Sequence, residues 1–200
     1  MIFNNIYTKR VGGVDPEDPD DAVLTVGKEV AGNFASMTKE FNFSVTVTKP
    51  AIGTPDSTTY TGYKLDASGV VTGSPITFAS GVPQTIALAH GEKLVFLNLH
   101  VGASFLVTET VESLYVPSYE LNAVAGPAYT SGAATYGMAA SVYLREQGDI
   151  LAFTNTFGAT TPTGIIVDNL PYIVLIIVAI LALVAYVLVR NRRNVKYTAQ

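Results

Sequence analysis

The chain has 200 residues, no cysteine and a formal net charge of −4. Without cysteine there is no disulfide framework, so an exported domain must rest on its core or on another staple. All sixteen acidic residues precede residue 169, against eight Lys and Arg, and a formal charge of −8 over that stretch argues against nucleic-acid binding.

In chain order, FNNIY at 3–7 resembles FTNTF at 153–157: aromatic, polar, Asn, β-branched, aromatic. Five positions are either chance or, in residues 1–8, the last strand of a preceding, similar domain. MIFNNIYTKR has no long apolar stretch and does not read as a signal peptide. An exported chain then needs an unusual route or is the C-terminal piece of something longer. Residues 9–21 read as a linker, because VGGVDPEDPDD offers Gly, Pro and acids with nothing to bury.

Residues 22–157 are long enough for one ordinary core. They read as short alternating strands between turn residues. AVLTVGK at 22–28 puts Leu24 and Val26 on one face. FNFSVTVT at 41–48 is the cleanest strand, with Phe41, Phe43, Val45 and Val47 on one face and polar residues on the other. Residues 33–40 suggest a helical turn. Further strands are expected at 60–65, 75–79, 84–88, 93–97, 103–109, 118–124, 139–144 and 149–156, with turns at Gly69, Gly73, Gly81 and Gly91. Residues 125–137, rich in Gly, Ala, Thr and Ser, read as a long loop. Many short strands at this spacing predict an all-β sandwich.

Residues 158–170 link this domain to an uncharged run, NLPYIVLIIVAILALVAYVLV at 169–189. About 20 apolar residues span a bilayer core as a helix, which also satisfies its own backbone hydrogen bonds. A transmembrane helix is therefore expected over 171–189, with Pro171 in its first turn and Tyr172 and Tyr186 near its ends. Arg190, Arg192, Arg193 and Lys196 make residues 190–200 a basic cytoplasmic tail and place the rest outside the cell.

Alternation has a further consequence. Lys28 shares a face with Leu24 and Val26, Glu109 with Phe105 and Val107, and Asn155 with Leu151 and Phe153. Three strands thus aim a lysine, a carboxylic acid and an amide at the core, where an unpaired charge is costly. Plain readings exist. Each residue is near a strand end, where a long side chain can reach out. Lys28 and Glu109 can form an ion pair, and Asn155 can cap a turn.

Together with VAGN after Lys28, FNFSVTV, GEKLVFLNL, FLVTET with Glu109 and FTNT with Asn155, the stretch 22–157 resembles Gram-positive pilin and surface-adhesin domains carrying an internal Lys–Asn isopeptide bond. These are the streptococcal pilin isopeptide linkage domains, related to collagen-adhesin B-type repeats. The resemblance implies an immunoglobulin-like β-sandwich and a self-formed Lys28–Asn155 bond assisted by Glu109 as proton shuttle. Such a bond forms once per molecule, so the protein is not expected to be an enzyme. No metal or other cofactor is implied.

The resemblance extends to a cell-wall-sorting-like region: a motif, an apolar run and a basic tail. Thr161, Pro162, Thr163 and Gly164 match in order. No Leu precedes Pro162, however, and no residue separates Pro162 from Thr163. The stretch is either a variant signal, implying a sortase, the cell wall and other pilin subunits as partners, or a turn leading into a permanent anchor. Lys49, in VTKP, reads as an acceptor for polymerisation or a solvated strand-end lysine. The rival reading is a membrane-anchored adhesin without a cross-link, binding a host or neighbouring-cell ligand through residues 125–137. His90 and His100, in AHGE and LHVG, read as surface turn residues without metal or nucleophile motifs.

Overall fold

The computed structural model describes residues 9–51 and 58–158, and helical residues at 175–176, 178–184 and 186–187. Two units are separable, Met1–Gly158 and Ala159–Gln200. The first is built of strands: β1 (Arg10–Val11), β2 (Leu24–Ala31), β3 (Phe41–Thr48), β4 (Thr59–Leu65), β5 (Val71–Ala79), β6 (Gln84–Leu88) and β7 (Lys93–Phe96). These are followed by β8 (Leu99–His100), β9 (Ser104–Thr110), β10 (Tyr115–Leu121), β11 (Val124–Ala125), β12 (Thr135–Gly137), β13 (Val142–Tyr143) and β14 (Asp149–Phe157).

A seven-stranded sheet runs β11-β10-β14-β2-β7-β4-β5, and a five-stranded sheet runs β12-β9-β3-β6 with β13 also on β9. Apolar residues at every second position explain why these segments are strands. β3 buries Phe41, Phe43, Val45 and Val47, and β14 buries Leu151 and Phe153. The two inner faces form one core. Phe43 of one sheet meets Phe153 of the other edge-on, ring centroids 5.1 Å apart.

β14 lies parallel to β2, from Asp149 opposite Leu24 to Thr156 opposite Ala31. β10 flanks β14 and β7 flanks β2, so the parallel pair is interior to its sheet. It brings together segments far apart in sequence.

Several expectations are corrected. Residues 33–40 make isolated turns at 33–34 and 37–38, not a helical turn. Gly32, at φ 109°, opens this segment in a conformation no α-helix uses. Of 139–144 only Val142–Tyr143 is strand, and the expected loop 125–137 contains β12. Tyr136 anchors β12, buried against Tyr119 and Tyr129. Residues 10–21 are tied to the domain through polar groups: β1 pairs with β8, and Glu17 Oε1 accepts from Val71 N at 3.0 Å. Asp21 Oδ2 accepts from the amides of Val14 and Asp15. Acidic residues here bind backbone N–H groups, so the segment needs no apolar side chains to dock.

His100 is also corrected. It is not a surface turn residue but part of β8 and 1% exposed, because β1 pairs across it and Tyr60 packs edge-on against its ring. His90 does lie in a turn, where Nδ1 accepts from Val30 N at 3.0 Å.

In the second unit, the described residues at 175–176, 178–184 and 186–187 are helical and exposed. Among the described residues no helix is long and apolar enough to cross a membrane. Residues 1–8, the stretch 159–174 with Pro162, Thr163 and Gly164, and the tail 190–200 lie outside the described residues.

Candidate functional site

Lys28, Glu109 and Asn155 come from three strands and meet inside the core. Lys28 follows Leu24 and Val26 on the inner face of β2, and Asn155 follows Leu151 and Phe153 on that of β14. The parallel register sets Lys28 opposite Phe153 and Asn155 opposite Val30, so both inward side chains lie near one end of the pair. Glu109 reaches them from β9 in the facing sheet, where it is opposite Phe43. All three residues are at most 1% exposed.

Lys28 Nζ donates to Glu109 Oε1 at 2.8 Å, and Asn155 Nδ2 donates to the same oxygen at 2.6 Å. Among the described residues, Glu109 Oε2 and Asn155 Oδ1 have no hydrogen-bond partner. Nζ stands 4.2 Å from the centroid of the Phe41 ring and 5.5 Å from that of Phe43. Among the described residues the amine therefore has one polar contact, Glu109, and aromatic walls.

Burial lowers the Lys28 pKa to about 8, outweighing the pull of Glu109 in the other direction. Burial likewise raises the Glu109 pKa, against the opposing effects of Lys28 and the Asn155 hydrogen bond. The two shifts converge. Moving the proton from the ammonium to the carboxylate then costs far less than it would in water, and a neutral amine beside a neutral acid becomes accessible.

A fourth buried polar residue escaped the sequence reading. Asp149 shares the inner face of β14 with Leu151 and is 2% exposed. The alternation that singled out Asn155 could have singled out Asp149 as well. Its Oδ1 accepts from Asn122 Nδ2 and Arg145 Nε, both at 2.7 Å, and its Oδ2 accepts from Arg145 N at 2.9 Å. Lys49 is exposed just beyond β3, and its amide donates to Ser80 Oγ at 2.9 Å. Among the described residues no cluster of His, Asp and Glu is placed to hold a metal ion.

Residues 22–156 match a family described as a domain of unknown function, DUF7601. The chain belongs to this family. No curated protein matches it. Among solved structures, a point mutant of the major pilin of Streptococcus pyogenes is similar at 21% identity and a TM-score of 0.52, over 66% of this chain and 46% of that one. Another structure of the Streptococcus pyogenes major pilin is 23% identical with a TM-score of 0.50, over the same shares. A pilus-presented adhesin is 26% identical with a TM-score of 0.48, over 68% of this chain and 27% of that one. The chain thus spans less than half the length of each. At these identities the major pilins establish the fold: this DUF7601 domain is pilin-like and mostly β.

Proposed function

We propose that this chain is a cell-surface structural subunit, a pilin or adhesin stalk, whose DUF7601 domain ties its own first and last long strands together through a Lys28–Asn155 isopeptide bond. One observation carries the reading: Nζ of Lys28 and the side-chain amide of Asn155 converge on a single Glu109 oxygen in a site closed to solvent.

In the proposed step the lone pair of neutral Lys28 Nζ attacks Asn155 Cγ. A C–N bond forms there and the Cγ–Nδ2 bond breaks. Glu109 accepts a proton from Nζ and delivers one to Nδ2, which leaves as ammonia, so no external reactant is needed. An acid proton on Glu109 Oε2 paired with Asn155 Oδ1 would satisfy the two unpartnered atoms and polarise the amide carbonyl. Folding holds the groups together, which in favourable intramolecular reactions lowers barriers by roughly 7–11 kcal/mol. The walls of Phe41 and Phe43 keep the amine dry. Because the bond forms once, the activity is self-modification and not turnover.

The bond would join residues 28 and 155 across the parallel pair, so tension entering near one and leaving near the other would bypass the core between. In this reading residues 22–157 are the load-carrying domain, residues 171–189 hold the chain in the membrane and residues 190–200 lie in the cytoplasm. Pro162, Thr163 and Gly164 are offered to a sortase for transfer to the cell wall or to another subunit. The similarity of fold to streptococcal major pilins supports this assignment.

Intact-mass measurement on the full chain tests it. The mass should fall one ammonia short of the sequence mass, and fragmentation should recover a branched peptide containing Lys28 and Asn155. Lys28→Ala, Glu109→Ala and Asn155→Ala chains should each show the full sequence mass. An unmodified chain at full mass would overturn the proposal.

A further inference from the structure

The loop that a Lys28–Asn155 bond would close begins at Lys28, on β2. Residues 9–21 lie upstream of it and are docked on the domain by noncovalent contacts alone. β1 holds β8 over two residues, Arg10 opposite His100 and Val11 opposite Leu99. Val101 N donates to Lys9 O at 2.8 Å, Arg10 Nη1 donates to Asn98 O at 3.0 Å, and Lys9 pairs with Glu146 at 3.3 Å near the surface. Beyond β1 the chain forms a loop closed at its base, where Gly13 N donates to Asp21 O at 3.0 Å. Asp21 Oδ2 accepts from Val14 N and Asp15 N, both at 2.9 Å, and a Cβ on residue 13 would overlap this carboxyl group. Glu17 Oε1 ties the loop to Val71 N.

These contacts are nearly all polar. Val11 packs against the core, but Val14 is 90% exposed. Hydrogen bonds and exposed ion pairs cost little net free energy when they are exchanged for water. The hold changes at Val23. Its N–H donates to Phe96 O at 2.9 Å, and its carbonyl accepts from Asp149 N at 3.0 Å. Val23, Leu24 and Val26 are buried in the core, and β2 is paired on both sides, with β7 and β14. Stripping this stretch exposes apolar side chains and breaks two ladders at once. Residues 9–21 can therefore open locally while the core stays shut.

We infer that residues 9–21 are a tension-released strap: pulled from the N-terminal side, they detach as far as Val23 before any other part of the domain, and they dock again when the tension falls. The inference rests on the reading of the domain as a load-carrying module tied at Lys28 and Asn155. Fully extended, residues 9–22 reach about 50 Å, so the strap yields a limited length before the load arrives at the tie. Docking again requires loop closure and polar contacts but no repacking of the core, which makes the step reversible.

The chain has no cysteine, so Thr8→Cys with Gly158→Cys gives two unique handles for single-molecule pulling of the full chain in detergent. The expected trace has one reversible step of up to about 50 Å and no further lengthening until a handle fails. A short step followed by one of roughly 450 Å keeps the strap and overturns the cross-link. A first step of that long kind, with no short one before it, overturns both. No step at all overturns the strap and leaves the cross-link intact. Asp21→Ala removes the acceptor that closes the loop, and Gly13→Ala pushes the same carboxyl group aside. Each should open the short step about tenfold faster at constant force, as expected for two lost hydrogen bonds. An opening rate equal to the parent's in both chains assigns the short step to another segment and overturns the inference.

Discussion

Two buried carboxylates on opposite sheets make the instructive contrast in this molecule. Asp149 and Glu109 are equally hidden from water. Asp149 is saturated: both oxygens accept hydrogen bonds, from Asn122 and twice from Arg145, and its amide bonds Val23 O at 3.0 Å. Among the described residues, Glu109 receives two donors on one oxygen and none on the other. Burial raises the Glu109 pKa, against the opposing effects of Lys28 and the Asn155 hydrogen bond. Saturation makes Asp149 a brace locking the start of β14 to β2 and to the β10–β11 turn. Incomplete pairing leaves Glu109 with capacity to hold and pass a proton. The same residue chemistry is a structural brace at one site and, in the proposed reaction, a proton carrier at the other, and the difference follows the donor count.

The sharpest way to break the contrast is to make the proposed cross-link impossible. Lys28→Ala should destabilise the domain by about 5 kcal/mol, the loop-closure entropy expected for a tie between residues 28 and 155. Equilibrium denaturation of this chain against the parent measures the loss. Glu109→Gln, nearly the same shape, should also lack the ammonia loss. A cross-linked Glu109→Gln chain would show that the carboxyl proton is not needed.

A pH titration isolates the unreacted pair. In an Asn155→Ala chain Lys28 stays free, and its folded pKa of about 8 lies below the ordinary 10.5. Between those values the unfolded chain binds more protons, so stability rises with pH. Relative to an Asn155→Ala/Lys28→Met chain, the gain from about pH 8 to pH 10.5 should be about 3 kcal/mol. Glu109 acts with the opposite sign: its raised pKa makes stability fall as pH climbs from the ordinary carboxylate range to the raised value. A difference that stays flat across the alkaline window would mean Lys28 is not desolvated.

Asp149→Ala should cost about 2 kcal/mol, because Asn122 and Arg145 lose their acceptor, while Arg145 keeps access to water. The ammonia loss should persist in that chain, since the brace and the reactive site are separate. Glu17→Gln should change stability by no more than about 0.5 kcal/mol. Its readout is faster amide exchange at Val71, whose N–H bonds Glu17 Oε1.

Much of this was legible along the chain. FNFSVTVT at 41–48 became β3 at the same residues, and QTIAL at 84–88 became β6. Period-two counting from Leu24, Phe105 and Leu151 put Lys28, Glu109 and Asn155 on inner faces, because side-chain direction along a strand is a local property. Segments with weak alternation were misjudged. β12 is anchored by one aromatic, Tyr136, in a Gly- and Ala-rich stretch. Residues 10–21 dock through carboxylates and backbone amides, which hydrophobic patterning does not register. His100 looked like a turn because β8 is two residues long and its burial depends on β1, some ninety positions away.

The sequence alone determined that three polar side chains point inward from three strands, and that an uncharged run follows the domain. Only the tertiary structure decided that those three directions meet at one point. That meeting needs β14 to lie parallel to β2 in a particular register and β9 to face them from the other sheet. Pairing partner, register and sheet packing are non-local, so no count along the chain contains them. The same packing excludes water from Glu109 and leaves its Oε2 without a hydrogen-bond partner among the described residues, the arrangement that the proposed proton-shuttle role needs.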